Sequence, residues 1–220
     1  RLERSRKSAR TEIDLDKFVD SDAKKISWNR GLKNDLNKLN EFSFERSSMV
    51  IGLYRPFTKT NLYFNKNFND MTYQIPKLFP TAAHENIVFA VTGTGASKSF
   101  SALVTNVIPN LHLLDTGQCF PLYYYEIPEE GEIGELGQPK IKPDKHGYIR
   151  REAITDFAID KFQKSYADTK LSKEDVFYYV YGLLHSPVYR EKYQNDLKKM
   201  LPRIPLVKDF WGFSKKGREL

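Results

Sequence analysis

Between Phe79 and Glu126 the chain turns apolar in three bursts, Ile87–Val91, Phe100–Val104 and Phe120–Tyr125, each bounded by Gly, Ser, Asn or Pro. Runs this short and this rich in Val, Phe, Tyr and Leu predict buried strands joined by turns. Only Glu85, Lys98, Asp115 and Glu126 carry formal charge in the stretch, so any chemistry it holds belongs to its turns. Upstream, Met49–Phe57 and Asn61–Phe64 read as paired strands around Thr58-Lys59-Thr60, and Met71–Ile75 as a further strand. Pro76 and Pro80 bracket a short helical or irregular piece that leads into the core. Leu32, Leu36 and Leu39 recur at helical spacing and predict an amphipathic helix over Arg30–Asn40, with Arg30, Lys33 and Lys38 on its polar face. Sparse apolar residues among acids in Thr11–Asp22 suit a short strand and turn, after an Arg1–Arg10 segment that extends an upstream helix or linker.

Past Glu126 the texture changes. Ile127–Gly147 carries three prolines, four glycines and a Glu-rich half with little periodicity, and is expected to be a surface loop or partly disordered connector. The remainder is helical in pattern. Ile154, Phe157, Ala158 and Phe162 form one apolar stripe from Glu152 to about Tyr166. Ser172-Lys173-Glu174-Asp175 starts a second helix like a capping box, with Val176, Val180, Leu183 and Leu184 facing inward. Ser186-Pro187 opens a third that carries Tyr189, Tyr193, Leu197 and Leu201 and stops at Pro202 and Pro205. Trp211 and Phe213 are expected to dock back on the core. The predicted fold is α+β: a β-rich core of mixed or antiparallel strands with a short N-terminal helix and a C-terminal helical lobe. Its expected organisation is a linker over 1–20, the core over 21–126, an acidic Gly/Pro loop over 127–149 and the lobe, packed on the core, over 150–220.

With 220 residues and 40% apolar content the chain can bury a core of its own. No apolar run reaches the length that a membrane-spanning helix needs. A first residue other than methionine, with no apolar leader, makes it look like a piece of a longer protein. The single cysteine, Cys119, excludes an internal disulfide framework, fits a reducing cytoplasm and reads as a small core residue. The formal charge of +7 is concentrated in the flanks: residues 1–80 hold sixteen Lys/Arg against ten Asp/Glu, and 151–220 hold fourteen against ten. Such an excess suits an anionic partner such as nucleic acid, and equally a solvated basic surface.

Motifs for catalysis are poorly matched. Val91–Ser99 resembles a P-loop after a strand, but Ser97 and Thr92 stand where that motif needs glycine, and the residues after Ser99 favour strand rather than helix. His84, His112, His146 and His185 stand singly, without metal-ligand spacing; His185, at a helix C-terminus, suits an imidazole stabilised by the helix dipole. Pro143-Asp144 with Asp168-Thr169-Lys170 imitates a metal-dependent nuclease signature, yet both halves fall in loops on either side of a helix. The chain therefore reads as a binding module without a catalytic centre or cofactor of its own.

Candidates for contact with nucleic acid sit in predicted loops and helix starts beside strands. They are Arg30, Lys33, Arg55, Lys59, Lys66, Asn67, Asn69, Lys77, Ser97, Lys98 and Ser99. Cations and hydroxyls of this kind hold phosphates, and Asn amides match base edges. Each has a plainer alternative: asparagine is a good turn former, helix lysines are commonly just solvated, and Arg55, extended before Pro56, either pairs with an interior acid or reaches a base.

Five segments also resemble a known family: Tyr54-Arg55-Pro56-Phe57, Tyr73-Gln74-Ile75-Pro76, the run Asp115-Thr116-Gly117-Gln118-Cys119-Phe120-Pro121-Leu122-Tyr123-Tyr124-Tyr125-Glu126, and Tyr179–Pro187 with Pro202-Arg203-Ile204-Pro205. Together with Ile26–Leu36 they are similar to the C-terminal part of type ISP restriction-modification enzymes, from about residue 20 to the end. In that family one polypeptide joins a nuclease, a helicase-like ATPase, an N6-adenine methyltransferase and a C-terminal target recognition domain, and this chain looks like the last. The resemblance implies double-stranded DNA and the upstream methyltransferase domain as partners. It also implies that S-adenosylmethionine, ATP and Mg belong to the full-length enzyme. The rivals are a structural docking module that packs on the methyltransferase without reading bases, marked by exposed apolar surface on the helical lobe, and a degenerate nucleotide-binding domain, which needs a helix beginning at Ser97.

Overall fold

The computed structural model describes residues 17, 19–20, 22, 25, 27–128 and 141–220. The segments expected as an N-terminal extension (Arg1–Arg10), most of Thr11–Asp22, and residues 129–140 of the acidic connector lie outside them. The architecture is α+β, as the sequence predicts, and divides into two units: residues 1–50 with 62–73, and residues 51–61 with 74–220.

In the first unit, helix α1 (Arg30–Asn37) starts where the Asn29 side chain accepts from Leu32 N. It buries Leu32 and Leu36 and ends a turn earlier than expected. Leu39, predicted to continue the stripe, takes a left-handed φ of 60° after the C-cap. Strands β1 (Met49–Arg55) and β2 (Thr58–Tyr63) run from one unit into the other. Their turn is Pro56-Phe57, so Thr58-Lys59-Thr60, expected as the turn, begins the second strand. The strand expected at Met71–Ile75 does not form. Met71 and Tyr73 have φ of 51° and 45°, which no pleated strand accommodates, and Ile75-Pro76 instead opens the one-turn helix α2 (Ile75–Leu78) of the second unit.

The second unit is built around β3 (Val88–Val91), buried along its whole length. It is the middle strand of an antiparallel sheet with β4 (Ala102–Thr105) and β6 (Gln118–Pro121); Phe89 faces Val104 on one side and Phe120 on the other. Alternation sends Phe89 and Val91 toward the helices, and Ala90 toward Leu53 and Leu113. A strand covered on both faces reads as a continuous apolar run, hence Val-Phe-Ala-Val. The two-residue strand β5 (Ile108–Pro109) pairs in parallel with β1.

The run expected as one strand from Phe120 to Tyr125 is two. Leu122 N donates to Ile87 O and Leu122 O accepts from Ala153 N, so the chain leaves the first sheet there. It continues as β7 (Tyr123–Glu126), paired with β8 (Ile149–Glu152). Asn86, 3% exposed, holds the change of sheet. Its Nδ2 donates to Leu78 O at 3.0 Å and Tyr123 O at 2.7 Å, and its Oδ1 accepts from Tyr123 N at 3.1 Å and Ile87 N at 2.8 Å.

Helices α3 (Asp156–Tyr166), capped by Thr155, and α4 (Lys173–His185), opened by the predicted Ser172/Asp175 capping box, cover the sheet. Phe157, expected on the inward stripe, is 80% exposed; Ile159 takes the buried position. The third predicted helix breaks at Tyr193 into α5 (Pro187–Lys192) and α6 (Gln194–Leu197). Tyrosine hydroxyls fasten the extended strap that follows: Tyr189 to Arg203 O, Tyr179 to Pro205 O and from Val207 N, and Tyr166 to Val207 O. Helix α7 (Phe210–Glu219) docks through buried Phe210 rather than Trp211, whose Nε1 donates to Asp168. It crosses α4 glycine on glycine: a Cβ on Gly182 would stand 2.3 Å from Phe213 O, and one on Gly217 2.0 Å from Tyr178 O.

Two outcomes follow for stability. Gly182→Ala forces apart two backbones and is expected to destabilise by about 3 kcal/mol or more in denaturant unfolding; a loss within about 0.5 kcal/mol would show that the crossing yields freely. Asn86→Asp is nearly isosteric but aims an oxygen at two carbonyls. Burial against acceptors raises that carboxyl's folded pKa, so the destabilisation is expected to be small below the ordinary carboxylate range. It should deepen as pH rises above about 4, by up to about 1.4 kcal/mol per unit until the folded pKa is passed. Melting curves from acid to neutral pH read this directly.

Candidate nucleic-acid interface

Within the second unit three loops meet at one end of the β3 sheet. The β1–β2 hairpin is exposed from Tyr54 to Asn61. It is joined to the loop after β5 by Asn110 N donating to Leu53 O and by Arg55 Nη1 donating to His112 O at 3.4 Å. That second loop is joined to the one after β3: Gly93 N donates to Asp115 O, and the Thr116 hydroxyl to Thr94 O. The last two lie so close that a Cβ on Gly93 would stand 1.8 Å from Thr116 O.

The loop that resembles a P-loop has its anion built in. Asp115 Oδ2 accepts from Ser97 N at 2.7 Å, Ser97 Oγ at 2.8 Å and Lys98 N at 3.1 Å. The Ser97 hydroxyl, then the two backbone N–H groups, hold its carboxyl below the usual carboxylate range, against the opposing effect of desolvation. A phosphate would have to displace this carboxylate. No helix begins at Ser97 either; the chain runs on to β4. The nucleotide-binding reading is thereby overturned. Ser97, Lys98 and Ser99 remain on the outer surface of a braced loop.

Arg55 sits over the Tyr54 ring at 4.3 Å and donates to Tyr54 O. Among the described residues no carboxylate pairs with it. Lys59 lies on β2 and is exposed. Arg55, Lys59, Ser97, Lys98 and Ser99 thus stand exposed on two loops that are both joined to the loop after β5. Lys77 does not: it belongs to α2, whose Leu78 carbonyl is held by Asn86 at the other end of β3.

In the first unit, Arg30 is the first residue of α1 and Lys33 lies within it. Lys66 is exposed on the 65–69 turn. The asparagines there shape the turn: Asn65 N donates to Asn69 Oδ1, and Asn67 N to Asn65 Oδ1. Asn69 therefore acts as a turn former, its acceptor already engaged. An aromatic group stands beside the turn, with Phe44 stacked on Tyr63 at 5.4 Å and Phe68 edge-on to Tyr63 and Phe42. Irregular spacing hides this group from any periodicity.

The groups that imitate catalytic motifs hold structure. His84, buried, takes its Nδ1 to the Thr81 hydroxyl and its Nε2 to Asp144 Oδ2, both at 2.8 Å, with the Tyr125 and Tyr148 rings edge-on to it. Asp144 also accepts from His146 N and Tyr148 N. These backbone bonds, Tyr148's foremost, keep its carboxyl below the usual range. Asp168 is engaged by Lys170 N and Trp211. The two halves of the nuclease-like signature are thus in separate clips, and no described cluster of His, Cys, Asp or Glu could hold a metal ion. At His185 burial first, then Arg190, lowers the imidazole pKa, against the charge expected from the helix dipole. Burial pushes the Cys119 thiol up to about 11, as suits a core residue.

Three solved structures resemble the chain over 99% of its length. They are a DrdV–DNA complex (36% identity, TM-score 0.79), the ATP-dependent Type ISP restriction-modification enzyme LlaBIII bound to DNA (30%, 0.75) and a nuclease-deletion mutant of the Type ISP enzyme LlaGI with a DNA substrate mimic (28%, 0.71). The chain spans 20%, 14% and 15% of those proteins respectively. No curated protein matches it. The family model for the Type ISP C-terminal specificity domain matches residues 1–220, and the chain belongs to that family.

Proposed function

We propose that this chain reads a short sequence in double-stranded DNA on behalf of a larger restriction-modification polypeptide. It would place one adenine for flipping into an upstream N6-adenine methyltransferase domain and direct an ATP-dependent nuclease. The observation that carries the reading is the braced loop face: Arg55, Lys59 and Lys98 exposed on loops locked to the sheet and to one another, in a chain whose relatives were solved with DNA. Cations on a fixed frame hold phosphates and set register, and polar side chains between them read base edges. S-adenosylmethionine, ATP and Mg belong to the upstream domains in this reading. Here the phosphate-like nest is filled by Asp115, and no described cluster fits a metal. No helix among the described residues is long and apolar enough to cross a membrane. In this reading the larger polypeptide works in the cytoplasm.

A second reading, docking on the methyltransferase domain without base contact, draws support from Phe157 and Val188, both exposed on the helical side of the chain. Anisotropy of fluorescent duplexes at several salt concentrations, with a random pool and selection, separates the two. Enrichment of one short motif supports reading, whereas no binding at low salt leaves docking. Lys66→Ala with Lys98→Ala is expected to weaken binding of all sequences alike. It should also flatten the slope of log affinity against log salt by about 2, one for each phosphate that is no longer neutralised. An unchanged slope would remove both lysines from the interface.

A further inference from the structure

At the tip of the β1–β2 hairpin, Pro56-Phe57 forms a two-residue turn whose second position has φ of +64°. Proline followed by a left-handed residue is the pattern of a type II turn, which favours glycine at the second place. The chain puts phenylalanine there instead and leaves it 89% exposed, more than any other large apolar residue described. Neither the turn nor the core accounts for it. A residue both strained by its backbone and unburied within its own chain points to a contact with another molecule.

The surroundings say which kind. Residues 54–61, Tyr-Arg-Pro-Phe-Thr-Lys-Thr-Asn, are all exposed and carry two cations and no acid. Arg55 and Lys59 each lie two residues from Phe57, on opposite strands of the ribbon. The major groove of B-DNA admits a two-stranded ribbon. When its flanking cations rest on phosphates, an aromatic ring at the end between them meets the edge of the base stack. Phosphates cannot bury a phenyl ring, but base faces can stack on it.

We propose that Phe57 is a wedge that enters the DNA and packs against the bases of one locally opened step, with Arg55 and Lys59 as its phosphate anchors. This rests on the reading of the chain as a DNA-recognition module and adds to it a positioning residue that makes no base-specific hydrogen bond. An aromatic wedge of this kind lowers the work of drawing a neighbouring base out of the stack.

The test uses the full chain and duplexes carrying the motif that the wild type enriches, with a fluorescent adenine analogue at successive positions. Phe57→Gly fits the turn better than the native residue, so it is expected to melt at the same temperature or higher. It should nevertheless bind the duplex about tenfold more weakly, the scale of one aromatic–base stack, and should lose the rise in analogue fluorescence that the wild type produces at one step. Phe57→Trp is expected to restore affinity and the rise, with its own emission quenched by the bases. Equal affinity and equal opening by Phe57→Gly would overturn the wedge while leaving DNA reading intact. Failure of the wild type to bind any duplex would overturn the reading itself.

Discussion

Asn86 is the joint on which the second unit turns. One side chain supplies two donors and one acceptor oxygen in the place of a strand neighbour. It closes the end of α2, the start of β3 and the start of β7 at a single buried point. No other residue type of that size offers both functions. Because it fixes where β3 begins, it also fixes where that four-residue strand ends, and the loops at that end carry Arg55, Lys59 and Lys98. Leu122 completes the joint from the other side: its N–H and C=O point to two different sheets, so the chain changes sheet without leaving buried backbone groups unpaired.

The rest of the unit meets the same requirement with tyrosine. The strap of residues 202–207 contains two prolines and no regular hydrogen-bond partner. The hydroxyls of Tyr166, Tyr179 and Tyr189, projecting from three helices, serve its carbonyls, and Tyr179 also accepts from Val207 N. Tyr181 does this for the sheet, accepting from Val104 N. A chain with thirteen tyrosines can therefore cover irregular backbone with apolar rings and still satisfy it. The Gly182–Gly217 crossing brings α7 close enough for Phe210 to stack on Tyr179 at 4.8 Å, which closes that arrangement.

What the sequence makes legible follows from locality. The buried run of β3, the capping box at Ser172 and the start of α1 at Arg30 are set by neighbours within a few residues, and each stands where its pattern puts it. The departures have other causes. Phe120–Tyr125 looks like one strand because nothing local announces that Leu122 pairs with both Ile87 and Ala153. The hairpin turn reads as Thr58–Thr60 because phenylalanine is a poor signal for the left-handed position it occupies. Phe157 fits a helical stripe yet faces out. For the site, Lys98 and its serines are visible as a polar turn, but their brace, Asp115, lies seventeen residues away from Lys98. Lys77 shares their loop character in sequence, and only the strand between them separates it.

The Asp115 brace explains why a loop so like a phosphate cradle suits a different task. A nucleotide site needs its backbone N–H groups vacant and flexible enough to close on a ligand. Here they are already occupied by a carboxylate whose own negative charge would repel an incoming phosphate at that point. In the proposed reading phosphates are met further out, where Lys98, Arg55 and Lys59 stand exposed. DNA offers charges in a row rather than one buried anion, and a row is best met by cations held at fixed spacing on a rigid frame. Filling the nest internally supplies that rigidity. The same carboxylate that closes one phosphate nest thus fixes the backbone under Lys98, and in the proposed reading a cation held in this way helps to distinguish one register of a duplex from its neighbours.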